Sequence, residues 1–596
     1  MLPPVLAAIL IASCDSTAAV TPVSAIQGSG NTSPLEGRQV TIEGTVTGDF
    51  QADDDESRNL GGFFLQGERD GDDTTSDGIF VYDGNRSATD VAVGDRVRVR
   101  GTVAEHFGET QVQSSDVSII GNATVAPTAV TLPVTTTTNS DGEHIADLER
   151  FEGMLVSFPQ TLTVSQLRNQ ERFGEIMLRE GGRQYSYTNL NVPDVAGYGA
   201  HVDGLAARQV VLDDGLRSNN PGDYFFVRNG DEVSNLTGVL RYSRGSGGSG
   251  TEVFRLMSTS EPSFVHANPR PALPDVQGAL RVAMFNVNNY FSTPSSEGRV
   301  CGPTGEDDCR GADSNMELSR QLARIVTVLE IMDADIVAMI ELENNADASL
   351  RTIVTSLNDS VGADTFDFVD TGTIGNDAIK VGLIFKPATV QTVGGFALLH
   401  SSVDVRFDDN RNRPVLAQTF ETLSGAERLT VLALHLKSKG SSCDSDGDPD
   451  VNDGQGNCSA TRSLAAAAMI DWIAADPTDS QDTDVIVIGD FNTHTMGDAL
   501  TLFENAGYVN IAREHIGSSA YSFEFDGQFG ALDHALVSPS LAPRVVNAAE
   551  WHINADEAPL YDYNLEFGRD ASIFDPATPY RASDHDPLII GFDISP

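Results

Sequence analysis

Eight polar residues lie beside apolar runs in the second half of the chain: Asn286, Glu341, His435, Asp490, Asn492, Asp533, Asp584 and His585. Each alone is a weak signal, since a histidine or a "GDFN" at a strand end is more often structural than catalytic. Together they match one chemistry, hydrolysis of a phosphodiester. That reaction needs a metal ion to neutralise the phosphate and polarise the P–O bond. It also needs a base for the attacking water and an acid for the leaving oxygen. Hard oxygen donors such as Glu341, Asn286 and Asp584 suit Mg²⁺ (or Mn²⁺), with Ca²⁺ as a structural or catalytic alternative, rather than zinc. Two histidines, each steered by a carboxylate, suit proton transfer.

Positioning such a set calls for strands whose ends converge. "ALRVAMFNVNNYF", "ADIVAMIELENN", "KVGLIFKP", "RLTVLALHLKSKG" and "DVIVIGDFN" read as buried strands, while "MELSRQLARIVTVLEIM" and "TRSLAAAAMIDWIAA" have helical spacing. Residues 279–596 are therefore expected to be an α/β catalytic domain with its polar residues at strand ends. Upstream the pattern changes. Residues 36–124 alternate in short strands between Gly and Asp turns, which suggests a small β-barrel. Residues 125–267 continue as a second β-rich domain, and the Pro-rich 268–278 reads as a linker.

At 596 residues the chain is too long for one core. It carries 86 acidic against 38 basic residues, a net charge of −48. Such a surface repels nucleic acid, so a polyanion substrate requires a metal ion and a local basic patch. Two of the four lysines, Lys437 and Lys439, follow His435 directly. The opening "MLPPVLAAILIASC" reads as a lipoprotein-type signal peptide over 1–14, with Cys14 lipidated and a tether over 15–35. Export implies an oxidising compartment, in which Cys301–Cys309 and Cys443–Cys458 are expected as local disulfides. The expected location is the cell envelope, lipid-anchored, or the extracellular space. Contact with a membrane is then through the N-terminal lipid only, and a monomer is expected.

Residues 279–596 resemble the endonuclease/exonuclease/phosphatase superfamily, the DNase I-like fold. The marks are "FNVNNYF", "MIELENN", "HLKSKG", "GDFNTH", "LDHAL" and "SDHDP", in family order. "DAIKVGLIFKP", "RNRPVLAQTF", "GQGNCSATR" and "WHINADEAP" further resemble the ExeM/NucH-type secreted bacterial nucleases, in which an OB-like domain precedes the catalytic one. The resemblance implies a four-layer α/β sandwich behind an OB-like barrel. It implies a metal-dependent nuclease acting on DNA, with RNA as an alternative. Carried over by motif, Glu341 and Asn286 hold the metal, Asp490 aligns or deprotonates water, and Asn492 holds a phosphate oxygen. His435 and His585 form the acid/base pair, with Asp533 orienting His435 and Asp584 contacting the metal or His585. Asp377 is a further histidine partner. Arg411 and Arg413, with Lys437 and Lys439, would hold the phosphate backbone. Leu434 and His494 depart from the family pattern, where Asn and Ala-Tyr are usual.

The acidic run after Lys439 is not an EF-hand, because counting from Asp448 puts Asp453 and Ser459 where Gly and Glu are required. Two other functions remain open at the level of sequence. The same fold serves phosphomonoesterases and phospholipid phosphodiesterases. The β-rich half and acidic loop would also suit a non-enzymatic, calcium-stabilised surface protein.

Overall fold

The computed structural model describes residues 19–51, 60–84, 89–215 and 225–594. The signal segment and Cys14 lie outside them. No described helix is long and apolar enough to cross a membrane. The chain forms two compact units, one of residues 1–130, 148–157 and 237–261, the other of 131–147, 158–236 and 262–596. Residues 125–267 are thus shared between the units.

In the first unit, β1 (Gln39–Phe50), β2 (Gly62–Gln66), β3 (Gly78–Tyr82), β4 (Asp95–His106) and β5 (Glu109–Asn122) close a barrel in the order β1-β2-β3-β5-β4. Alternate residues such as Val97, Val99 and Val103 on β4 turn inward to its core.

In the second unit, residues 158–215, 225–236 and 262–278 pack on the same body as the α/β region. Arg270 of the Pro-rich stretch pairs with Glu557 at 2.8 Å and lies over the rings of Tyr561 and Tyr580. Residues 268–278 are therefore fixed along the α/β body rather than spanning a gap.

The α/β body has two six-stranded sheets. One contains β6 (Leu280–Tyr290), β7 (Ile336–Glu343), β8 (Asp367–Phe368), β9 (Ile379–Phe385), β10 (Val545–Glu550) and β11 (Leu588–Phe592), in the order β8-β9-β7-β6-β11-β10. The other runs, in spatial order, Val390–Leu399, Val415–Thr422, Arg428–His435, Val485–Asp490, Asp533–Val537 and Val509–Asn510. Val282, Met284, Val431 and Ile486 from the two sheets share one core. Ala283 and Phe285, on the opposite face of β6, pack with Ile325 and Leu329 of the helix Asn315–Met332. The helices Ser459–Ala474 and Asp498–Asn505 cover the outer face of the second sheet. Both faces of the central strands are buried, which is why they read as continuous apolar runs rather than alternating ones.

Candidate active site

The second sheet sets three functional residues in a row. His435 ends its strand opposite Asp490, and Asp490 in turn lies opposite Asp533. Adjacent strands are about 4.8 Å apart, so Asp490 separates His435 from Asp533. Asp533 cannot orient His435, as the motifs imply it would. Its Oδ2 instead accepts a hydrogen bond from His585 Nδ1 at 2.7 Å. Asp490 carries Asn492, whose backbone N–H donates to Asp490 Oδ1 at 2.8 Å and whose side chain donates to Leu436 O at 3.1 Å.

The first sheet contributes Asn286 and Glu341 through broken ladders. Pairing of β6 with β7 slips between Asn286 and Tyr290, and pairing of β7 with β9 slips between Met339 and Leu342. Glu341 itself has φ 66°, and Asn288 and Asn289 have φ 51° and 52°. Left-handed backbone at non-glycine residues costs about 1–2 kcal/mol each. Bulges of this kind re-aim a side chain out of the pleat. Here they turn Glu341 so that its Oε2 accepts the backbone and side-chain N–H of Asn289 at 2.8 and 2.7 Å. Glu341 Oε1 then faces His435 Nε2 at 4.0 Å, and Asp490 Oδ2 faces the same nitrogen at 3.4 Å.

The Asp533 carboxylate separates the two histidines electrostatically. His435 is pushed well below the usual imidazole range by burial and then by the Arg413 cation. For His585 burial acts in the same direction but is outweighed by Asp533, with Asp584 and Asp490 adding to it, and the ring is held well above its usual range. Burial raises Asp490 to about 8, although His585 opposes the shift. It also raises Glu341, to which the Asp584 charge adds.

This donor set fits a hard divalent cation. Burial raises the carboxyls of Glu341 and Asp490, and crowded carboxylates of this kind gain most from a cation. Among the described residues, donor atoms of Asp490, Asp533 and His585 lie within 4.8 Å of one another. Within this group His585 is committed to Asp533, and Glu341, with Asn286 and Asp584 acting on it, offers further oxygen donors.

The expected phosphate-binding cations have partners of their own. Arg411 pairs with Asp446 of the acidic loop at 2.5 Å. Arg413 Nε donates to Asp377 at 2.9 Å, so Asp377 serves an arginine and not a histidine. Lys439 donates to His494, whose Nδ1 also lies 2.9 Å from Thr188 Oγ1. Lys437 donates to Ser441 Oγ, at 2.7 Å, and among the described residues forms no ion pair. The acidic excursion is closed by the Cys443–Cys458 disulfide, and a second disulfide joins Cys301 to Cys309.

Several neighbours of the site were not among the residues expected to act there. Phe523 lays its ring over His585, 4.6 Å between centroids. Asp586, the second acid of "SDHDP", accepts from His552 at 2.9 Å, and His552 stacks on Tyr521 at 3.9 Å. The doubled acid in that motif was the available clue to this second pair.

Residues 285–585 match the model of the Endonuclease/Exonuclease/phosphatase family. The chain belongs to this family. Its members include nucleases, phosphatases and phosphodiesterases. Among solved structures, the chain is similar to an endonuclease/exonuclease/phosphatase from Bacteroides vulgatus, with 12% identity over 53% of this chain and 99% of that one, TM-score 0.34. The human Nocturnin catalytic domain shares 14% identity over 52% and 93%, TM-score 0.32. D. rerio TDP2 complexed with single-strand DNA product also shares 14%, over 52% and 97%, TM-score 0.32. No curated protein matches the chain.

Proposed function

We propose that this family member is an exported, metal-dependent nuclease that hydrolyses phosphodiester bonds of extracellular DNA. The observation that carries the reading is the opposed pair of histidines around Asp490. Asp533 holds His585 well above the usual imidazole range, and burial holds His435 well below it, 3.4 Å from Asp490. Titratable groups whose surroundings push them apart mark acid and base roles. His585 gives its proton to the leaving oxygen. Asp490 aligns the attacking water and takes its proton as the new P–O bond forms and the old one breaks. Neutral His435 donates to a phosphate oxygen, with Asn492 beside it. A divalent metal such as Mg²⁺ on Glu341 and Asp584, beside Asn286, would neutralise the phosphate and polarise the scissile bond.

Lys437, two residues after His435, supports a polyanionic substrate, because among the described residues it forms no ion pair. In this reading the five-stranded barrel is an OB-like domain that guides single strands, and Cys14 is the lipid anchor of a monomeric envelope protein. The test is incubation of the purified chain with supercoiled plasmid and Mg²⁺, with and without EDTA, beside nucleotide monoesters and sphingomyelin. The expected result is metal-dependent cleavage of the plasmid. No cleavage with Mg²⁺, Mn²⁺ or Ca²⁺, or turnover confined to monoesters or lipid, would overturn the proposal.

A further inference from the structure

A cavity of about 560 Å³ opens beside Asp584, within the second unit. One wall is Gln166–Phe173, which lies outside the stretch matched by the family. The facing wall is the Phe523–Phe525 strand of a short hairpin, and Arg581 and Asp584 lie along the lining. The volume is that of a small-molecule site.

Its lining is unusual in two respects. Phe525 is 61% exposed and makes no ring contact with another described residue. Two positions earlier, on the same face of the strand, Phe523 covers His585. One aromatic edge of the cavity thus reaches the catalytic histidine while the other stays open to a ligand. Arg168, on the opposite wall, is exposed and forms no ion pair with another described residue, on a chain whose net charge is −48. Of the other lining arginines, Arg569 pairs with Asp562 at 2.7 Å and Glu171 at 3.5 Å, Arg581 donates to the carbonyls of Asn554 and Glu557, and Arg172 lies over the rings of Phe173 and Phe567.

A flat apolar face, an unpaired cation and a phosphodiester-cleaving centre at one end describe a site for a nucleotide. Aromatic faces stack any base without reading its sequence, and a nearby cation holds the backbone phosphate. A paired base in a duplex presents no free face for such stacking, so the ligand is an unpaired one.

We infer that this cavity is a substrate subsite which receives an unpaired nucleobase next to the scissile phosphate, stacked on Phe525 with Arg168 on the adjoining phosphate. The inference rests on the nuclease reading above. It also gives residues 166–173 a role in substrate binding, so the catalytic region is completed by a segment outside the family domain.

The test uses the full chain and a single-stranded DNA with one cleavable phosphodiester, in normal form and with an abasic residue at either neighbouring nucleotide. For the wild type, kcat/KM is expected to fall about tenfold when the abasic residue occupies one of the two positions. In Phe525→Ala and in Arg168→Ala, assayed separately, the ratio of normal to abasic strand should shrink toward one for Phe525→Ala and persist for Arg168→Ala, whose loss should instead follow removal of the adjoining phosphate charge by a methylphosphonate. Equal wild-type rates on normal and abasic strands would overturn the subsite and leave the nuclease reading intact. A wild type that cuts neither strand, nor any plasmid, would overturn both.

Discussion

His585 Nδ1 donates to Asp533 Oδ2 at 2.7 Å, and both side chains are buried. The loop that carries His585 thereby spans from the first sheet to the strand beside Asp490. The bond fixes the ring's tautomer and stabilises its charged form in a place where burial alone would discharge it.

Glu341 is the carboxylate whose geometry is set by strained backbone, and its Oε2 is already held by Asn289. Glu341→Gln preserves an acceptor for Asn289 but removes the charge. We expect kcat to fall by at least about two orders of magnitude, with weaker Mn²⁺ binding in paramagnetic titration and an unchanged melting temperature. Retained metal affinity would remove Glu341 from the metal site.

Lys380 and Asp347 form a fully buried ion pair, with Lys380 also donating to Gly372 O at 2.6 Å. Burial lowers the lysine; for Asp347 it acts upward but is outweighed by the lysine, and the carboxyl lies below its usual range. Lys380→Met leaves an uncompensated anion and should cost about 3–5 kcal/mol in denaturant unfolding. The double variant Lys380→Met, Asp347→Leu should lose less than the single one.

Glu550 is buried, and burial raises its carboxyl to about 8 against an ordinary value of 4.5. Between those values the folded state holds one proton more than the unfolded chain, so stability falls as pH rises, by about 1.4 kcal/mol per unit. The contribution is complete below the unfolded value and is lost as pH climbs through the folded one. In thermal melts at about pH 5 and about pH 8, the wild type should lose more than Glu550→Gln across the interval. Gln keeps an acceptor for the Tyr521 N–H, now bonded at 2.9 Å.

The strand-end set was legible because apolar runs such as "VIVIGD" and "LTVLALH" end where the polar residues begin. The two disulfides were legible because each joins cysteines close in sequence, with separations of 8 and 15. Pairings across the site were not. Whether Asp533 serves His435 or His585 depends on strand order, since Asp490 stands between Asp533 and His435, and no local pattern encodes that order. The same holds for Asp377, which is joined to Arg413 across strands. The role of residues 158–236 in the second unit was hidden for another reason. Contacts such as Arg183 with Asp556, at 2.6 Å, link positions 373 residues apart and leave no periodic trace.

The most direct test is the pH profile of kcat/KM on DNA for the wild type and Asp533→Asn. If His585 acts as the acid held protonated by Asp533, activity is lost as pH rises through its raised value. Replacing Asp533 must then move this alkaline limb to lower pH and reduce kcat by about two to four orders of magnitude. An alkaline limb in the same place, with kcat within a few-fold of the wild type, would contradict the account.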